Sequence, residues 1–150
     1  MAVLALGAIG SAVQAENLDM LSCGAGNVSV IAGGEELTAM IYEAKGINLD
    51  NAENKTFDNM TFHCGALFKI DKGKMSGPML CKYMDPGGDF FVVEVVQTGM
   101  ERDWKFVHST GKWKGLTGGG KSISTTKGKP ISPGTNQACY KITGTYELKK

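Results

Sequence analysis

A glycine-rich segment, residues 115–122, matches the pattern G-x-x-x-x-G-K-[ST] of loops that bind nucleotide phosphates. Such a loop works between a buried strand and a helix, because the helix N-terminus supplies the amides and the dipole that hold phosphate. Here a predicted strand, in which Trp113 alternates with Lys112 and Lys114, precedes the segment. The β-forming residues 122–126 lead into Gly128 and Pro130, which oppose a helix. The sequence therefore predicts a bent strand and no nucleotide binding.

Two titratable side chains fall among apolar residues and are candidates for acid–base chemistry. His108 alternates with Trp104 and Phe106, which places its imidazole on an aromatic face of a predicted strand. It is either a hydrogen-bonded core or rim residue, or a ligand contact or general acid. Glu94 would be buried if a two-residue loop preceded residues 90–98. We favour a three-residue loop, which leaves Glu94 in water, because unpaired carboxylates are seldom buried.

The chain contains four cysteines, which are Cys23, Cys64, Cys81 and Cys139. Their spacing includes no C-x-x-C pair, and His63 and Cys64 would point to opposite faces of a strand. We therefore predict no metal site and no cofactor. An even number of cysteines in a chain with an export signal favours two disulfides.

The pairing of the cysteines follows from a predicted hairpin. A two-residue turn in a hairpin across residues 60–84 brings Cys64 directly opposite Cys81, within the separation that a disulfide requires. Cys139 falls on the side of the last predicted strand that faces away from the core. We therefore expect it to pair with Cys23, in an N-terminal segment outside the core.

Length and composition indicate one all-β domain. The chain has 150 residues, of which 42% are hydrophobic, 21 are glycine and 4 are proline. Glycine without a repeat or low-complexity period is typical of turns and bends. We predict a single antiparallel β-barrel of about seven or eight strands over residues 16–150, with residues 103–124 as a glycine-kinked corner.

Residues 1–15 are apolar, uncharged and too short to span a bilayer, and they end in the small-x-small pattern Val13-Gln14-Ala15. We predict that they are a secretory signal segment. The alternative is a short buried segment, because the basic region that begins such signals is missing. No later run approaches membrane-spanning length, so we predict no integral membrane segment in the mature chain and a periplasmic or secreted location.

Charge divides along the chain. Residues 16–103 hold 14 acidic and 7 basic side chains, whereas residues 104–150 hold 9 basic and 1 acidic. In a closed barrel the first and last strands are neighbours, so these opposite charges can face each other. Exposed aromatic residues are not interleaved with the basic ones, so we predict no nucleic-acid partner. We expect a monomer or a weak oligomer.

The predicted interior favours a binding function. Barrels of this size can enclose one small ligand, and the inward positions are rich in Met and aromatic residues. The ligand-binding candidates are Trp104, Phe106, His108, Trp113, Tyr83 and Met79. We predict a non-enzymatic module that binds a small apolar ligand. The alternatives are an isomerase or cyclase that uses His108, and an antigen-like surface protein that contacts a host through its charged exterior.

Two resemblances support these expectations. Residues 110–118 (TGKWKGLTG) and 143–147 (TGTYE) resemble strand pairs of small lipocalin-like barrels, including the dirigent and allene oxide cyclase group. This implies a fold, and no catalytic residue of those enzymes matches the chain. Phe57–Cys64 (FDNMTFHC) and Cys81–Asp89 (CKYMDPGGD) are similar to segments of small exported bacterial proteins. That resemblance implies a periplasmic or secreted location and no particular activity.

Overall fold

A computed structural model describes residues 14–149, which form a closed barrel of antiparallel strands. Each strand pairs with the next one along the chain, and the last pairs with the first. The strands are β1 (Glu16–Gly33), β2 (Leu37–Asp50), β3 (Met60–Asp71), β4 (Lys74–Met84), β5 (Phe90–Thr98), β6 (Glu101–Ser109), β7 (Leu116–Lys127) and β8 (Thr135–Leu148). The all-β class and the single antiparallel barrel are confirmed. Residues 1–13 of the predicted signal segment lie outside the described residues.

The hairpin of β3 and β4 has the predicted register. Cys64 lies opposite Cys81, and Phe62 lies opposite Tyr83, with all four side chains buried. The two cysteines form a disulfide with their Cα atoms 4.0 Å apart. The prediction is confirmed because a two-residue turn leaves one register that keeps the apolar residues on the inner face.

The second disulfide, Cys23–Cys139, is also confirmed, but its position corrects one expectation. The N-terminal segment that carries Cys23 does not lie outside the core, because its Leu18 and Met20 are buried there. Cys23 belongs to the 18-residue strand β1 and stands directly opposite Cys139 in β8. Small residues such as Ser22 and Gly24 occupy inward positions of β1, which hides the alternation of apolar residues on which strand prediction depends. The disulfide therefore joins the first and last strands where the barrel closes.

The side of β5 that faces the interior is the predicted one. The connection from β4 to β5 spans residues 85–89, an odd number of residues, as in the three-residue loop that we favoured. Phe91, Val93 and Val95 are buried in the core. Glu94 faces outward, where one of its carboxylate oxygens lies 2.7 Å from Nζ of Lys105.

A β-bulge in β6 overturns the predicted inward direction of His108. Val93 of β5 pairs with Phe106, but the next residue, Val92, pairs with His108, so Val107 is an extra residue in β6. One extra residue moves every later side chain to the opposite face. The imidazole of His108 therefore lies exposed on the outside of the barrel, although Trp104 and Phe106 face inward as predicted.

One end of the barrel is filled mainly by aromatic side chains, and we call it the closed end. The residues that fill it are Phe57, Met60, Phe91, Trp113 and Tyr146, all buried. Phe57 belongs to the connection between β2 and β3, and its ring centroid lies 5.3 Å from that of Trp113. The Asp50 carboxylate holds the connection in place by accepting hydrogen bonds from the backbone amides of Ala52 and Phe57, each at 2.8 Å.

Trp113 reaches the closed end from a short 3-10 helix, Gly111–Trp113, and not from the strand that its alternation with lysines predicted. Its indole N–H donates a hydrogen bond of 3.0 Å to Oδ2 of Asp85, whose side chain is buried. Nζ of Lys112 lies 2.8 Å from the same oxygen, and the amide of Gly87 donates to Oδ1. Asp85 thus ties the 3-10 helix to the connection between β4 and β5.

These contacts predict a pH-dependent stability. Burial raises the pKa of Asp85, but the hydrogen bonds from Lys112, Trp113 and Gly87 outweigh burial and lower it below its ordinary value of 3.8. The stabilisation is therefore complete above the ordinary value and is lost as the pH falls through the lower, folded-state pKa. Asp85→Asn should lower the free energy of unfolding by about 1–2 kcal/mol at pH 7.

Urea denaturation of both proteins between pH 7 and pH 2 checks this prediction. The difference between wild type and Asp85→Asn should shrink once the carboxylate is protonated. A difference that stays constant down to pH 2 would show that the charge of Asp85 is not the source of the stabilisation.

The two oppositely charged parts of the chain meet across neighbouring strands. Lys141 of β8 pairs with Asp19 of β1, with 3.3 Å between Nζ and Oδ2. Lys121 of β7 pairs with Asp103 of β6 at 3.1 Å. The charge division along the chain thus becomes local pairing on the outer surface. In the part of the chain that the structure describes, no helix is long and apolar enough to cross a bilayer.

Candidate ligand-binding cavity

The barrel contains a cavity of about 150 Å³. It begins beside the closed end and extends toward the opposite end of the barrel, where several of its lining residues are partly exposed. Its lining includes the aromatic and sulfur-containing side chains of Met40, Tyr42, Phe62, Phe68, Met75, Met79, Tyr83, Trp104 and Tyr140, and the Cys64–Cys81 disulfide. The wall is therefore mostly apolar.

The structure brings together only some of the predicted binding residues. Met79, Tyr83 and Trp104 line the cavity. Phe106 and Trp113 do not line it, because they pack with the aromatic side chains of the closed end, and His108 is on the outer surface. The binding role of each of these residues stays a prediction.

Glycines in the strands explain why the barrel is not filled. The ring of Tyr42 lies against Gly26 of β1, where an added Cβ would be 2.5 Å from the ring. The indole of Trp104 lies against Gly144 of β8, where an added Cβ would be 2.8 Å away. The rings thus occupy the space of the missing side chains along the wall and leave the middle of the barrel empty.

Ser22 and Tyr83 line the inner floor of the cavity, next to the closed end. Oγ of Ser22 donates to Oδ1 of Asn48 at 2.6 Å, and Nδ2 of Asn48 donates to the carbonyl oxygen of Phe57 at 2.9 Å. The hydroxyl of Tyr83 lies 3.5 Å from Oγ of Ser22. Burial raises the pKa of Tyr83, and the contact with Ser22 offsets part of this rise. The floor is therefore polar but uncharged.

Polar side chains line the open end of the cavity, which we call the mouth. They include Tyr42, Gln97, Arg102, Asn136 and Tyr140. The guanidinium of Arg102 stacks on the ring of Tyr140, 4.3 Å from its centroid. Its Nε donates a hydrogen bond of 3.0 Å to Oε1 of Gln97, whose Nε2 donates to the carbonyl oxygen of Gly99 at 2.9 Å.

Tyr42 at the mouth stays neutral at pH 7. Burial, followed by the nearby Tyr140, raises the pKa of Tyr42 to about 12, while the charge of Arg102 acts in the opposite direction. Tyr42 is therefore a hydroxyl donor at neutral pH and not a counter-ion for Arg102. Among the described residues, no histidine, aspartate or glutamate lines the cavity.

Sequence patterns held a signal for the mouth that our predictions missed. Arg102 precedes Trp104 and Phe106 at the same spacing of two, so strand alternation places it on their inward face. Gln97 likewise follows Val93 and Val95 on the inward face of β5. Polar residues at inward positions near a strand end are the signal that would have identified them.

The segment that matches the phosphate-binding pattern lies in a strand. Gly118, Gly119 and Gly120 belong to β7 and pair with β8. The 3-10 helix precedes this strand, and strand continues beyond Ser122. The predicted strand is confirmed. The described residues around it do not form the strand–loop–helix arrangement in which the pattern binds phosphate. The absence of nucleotide binding stays a prediction.

Comparison with known proteins agrees with this fold. No family model matches the chain, and a search of curated proteins finds no match. Among solved structures, the barrel is similar to that of the pterocarpan synthase dirigent protein GePTS1, with a TM-score of 0.58 over 99% of this chain and 100% of that one. The two are 8% identical, so the similarity shows the fold alone. The chain has a dirigent-like β-barrel, as its glycine-rich strands suggested.

Proposed function

We propose that this protein is a non-enzymatic binding module that holds one small, mainly apolar ligand inside its barrel. The observation that carries the proposal is the cavity of about 150 Å³ with its aromatic and methionine lining. A cavity of about 150 Å³ in a protein interior accepts a molecule the size of benzene. The ligand, or its buried part, is therefore one ring or a short alkyl chain.

The catalytic alternative has less support than the binding function. The isomerase or cyclase hypothesis depended on His108, whose ring lies outside the barrel beside Phe90, with the ring centroids 5.9 Å apart. GePTS1 is described as a pterocarpan synthase, but an identity of 8% carries no reaction to this chain. The cavity wall supplies hydroxyls and one guanidinium, which suit binding and orientation.

Both disulfides support a place in an oxidising compartment, because such bonds persist outside the reducing cytosol. We propose a periplasmic or secreted location. The residue pattern of residues 1–15 and the resemblance to small exported bacterial proteins favour the same location. Detection of the oxidised protein in the periplasmic or culture fraction of its source cell tests this proposal.

Iodobenzene, a one-ring probe that quenches tryptophan fluorescence on contact, tests the binding function. Trp104 lines the cavity and Trp113 does not, so the probe should quench Trp104 selectively and saturably. Trp113→Phe should keep the saturable quenching, and Trp104→Phe should lose it. Fluorescence titration of the three proteins, followed by calorimetry, measures the effect.

A cavity-filling variant is the matched control. Ala44 faces the cavity, and Ala44→Leu should lower the affinity for the probe by about tenfold while the thermal midpoint shows that the barrel stays folded. Equal quenching of both tryptophans without saturation would contradict the proposal. The charged outer surface would then be the place to look for function.

A further inference from the structure

We propose that the cavity selects carboxylate ligands, that is, one ring or a short alkyl chain that carries a carboxylate, and that Arg102 binds this group at the mouth. The inference rests on the proposed binding function and names the ligand class for the same cavity. Its evidence is the position of Arg102, the state of its hydrogen-bonding groups and the charges around it.

Arg102 is the one arginine in the sequence, and it lines the cavity as a half-buried side chain. Within residues 14–149, its hydrogen bond to Gln97 uses Nε alone, and no ion pair forms with its guanidinium. Exposed lysines such as Lys105 and Lys121 do have carboxylate partners. The cation that faces the cavity is thus left with free donors on both terminal nitrogens.

Arg102 is also held in place before any ligand arrives. Stacking on Tyr140 and the hydrogen bond to Gln97 restrict its side chain, so little conformational entropy is lost when a ligand binds. A guanidinium presents two parallel N–H donors that match the two oxygens of a carboxylate. The protonated hydroxyl of Tyr42 adds a neutral donor at the mouth and no competing negative charge.

Charge at the mouth favours a carboxylate over a phosphate ester. A phosphate monoester carries close to two negative charges at pH 7, and sites for it combine several cations or backbone amides. Among the described residues that line the cavity, Arg102 is the single cation. One guanidinium balances one carboxylate, while the cavity volume holds the attached ring.

Phenylacetate and its neutral isostere phenylacetamide test the proposal, because they differ only in the charged group. Wild-type protein should bind phenylacetate about 10- to 100-fold more tightly, the value expected for a hydrogen-bonded ion pair that is partly shielded from water. In Arg102→Gln, phenylacetate should lose this advantage while the affinity for phenylacetamide stays the same. Isothermal titration calorimetry measures both affinities.

Lys105→Gln is the matched control, because it removes one positive charge from the outer face of the same strand. It should keep the preference for phenylacetate. Arg102→Lys keeps the charge but loses the planar pair of donors, so it should show an intermediate preference. A thermal melt of each variant checks that the barrel is folded. If Arg102→Gln does not fold, the comparison of wild type with Arg102→Lys tests the proposal instead.

Each failure has a separate meaning. If wild-type protein binds neither compound and iodobenzene does not bind either, the proposed binding function is wrong. If both compounds bind with equal affinity, the cavity binds ligands but the carboxylate inference is overturned. If the preference for phenylacetate falls equally in Lys105→Gln and Arg102→Gln, it depends on the net charge of the protein, and the proposed role of Arg102 is overturned.

Discussion

Replacing Cys23 and Cys139 together with alanine should lower the free energy of unfolding by about 4–5 kcal/mol, the largest effect that we expect from removing one crosslink. The two residues are 116 positions apart in the chain, whereas Cys64 and Cys81 are 17 apart. A crosslink restricts the unfolded chain more when it closes a longer loop. The double alanine variant at Cys64 and Cys81 should therefore lose less, about 3 kcal/mol.

Guanidinium denaturation of the two double variants and of wild type measures this difference. The long crosslink also joins β1 to β8, so its loss removes the covalent closure of the barrel. We expect the slope of the transition to rise with the extra surface that the less restricted unfolded chain exposes. A smaller loss at Cys23 and Cys139 than at Cys64 and Cys81 would contradict the loop-length argument.

Phe57→Ala should cost about 3–5 kcal/mol, the range for a large aromatic side chain removed from a packed interior. Phe57 is 1% exposed, although it lies in a connection between strands. Its ring centroid lies 4.8 Å from that of Tyr146, 5.3 Å from that of Trp113 and 5.7 Å from that of Phe91. Truncation leaves these rings without a common partner and opens the closed end to water.

Two further variants are controls for the stability lost in Phe57→Ala. Phe57→Leu keeps much of the volume and should lose clearly less stability than Phe57→Ala. Ile131→Ala changes a side chain that is 86% exposed in another connection, and it should alter stability by less than about 0.5 kcal/mol. Chemical denaturation compares all three. A Phe57→Ala protein as stable as Ile131→Ala would show that the connection does not pack into the barrel.

Local patterns were sufficient for the hairpins. A short turn and an alternating strand leave few ways to pair, so the opposition of Cys64 and Cys81 follows from the sequence between them. The inward direction of β5 follows from the odd number of residues in its preceding connection. The sequence also predicts that residues 115–122 lie in a strand and not in a phosphate-binding loop, because β-forming residues and Pro130 follow them.

Other features depended on contacts between distant parts of the chain. The position of Cys23 opposite Cys139 required the barrel to close, because nothing in residues 16–34 alone marks a long strand. Phe57 is an aromatic residue in a polar connection, and only the space beneath Trp113 and Tyr146 explains its burial. The alternation of Trp113 with lysines predicts a strand, but the same pattern fits the short 3-10 helix that the structure shows.

The candidate site likewise combines features that local patterns predict with features that depend on distant contacts. Alternation alone placed Trp104, Tyr83 and Met79 on the inner face, and it could have placed Arg102 there too. The bulge at Val107 turned His108 to the outside, since an extra residue reverses alternation without leaving a mark in composition. Sequence by itself thus determined which faces of regular strands are apolar. Tertiary structure decided where strands depart from regularity and whether inward side chains fill the barrel, because both depend on packing between strands distant in sequence.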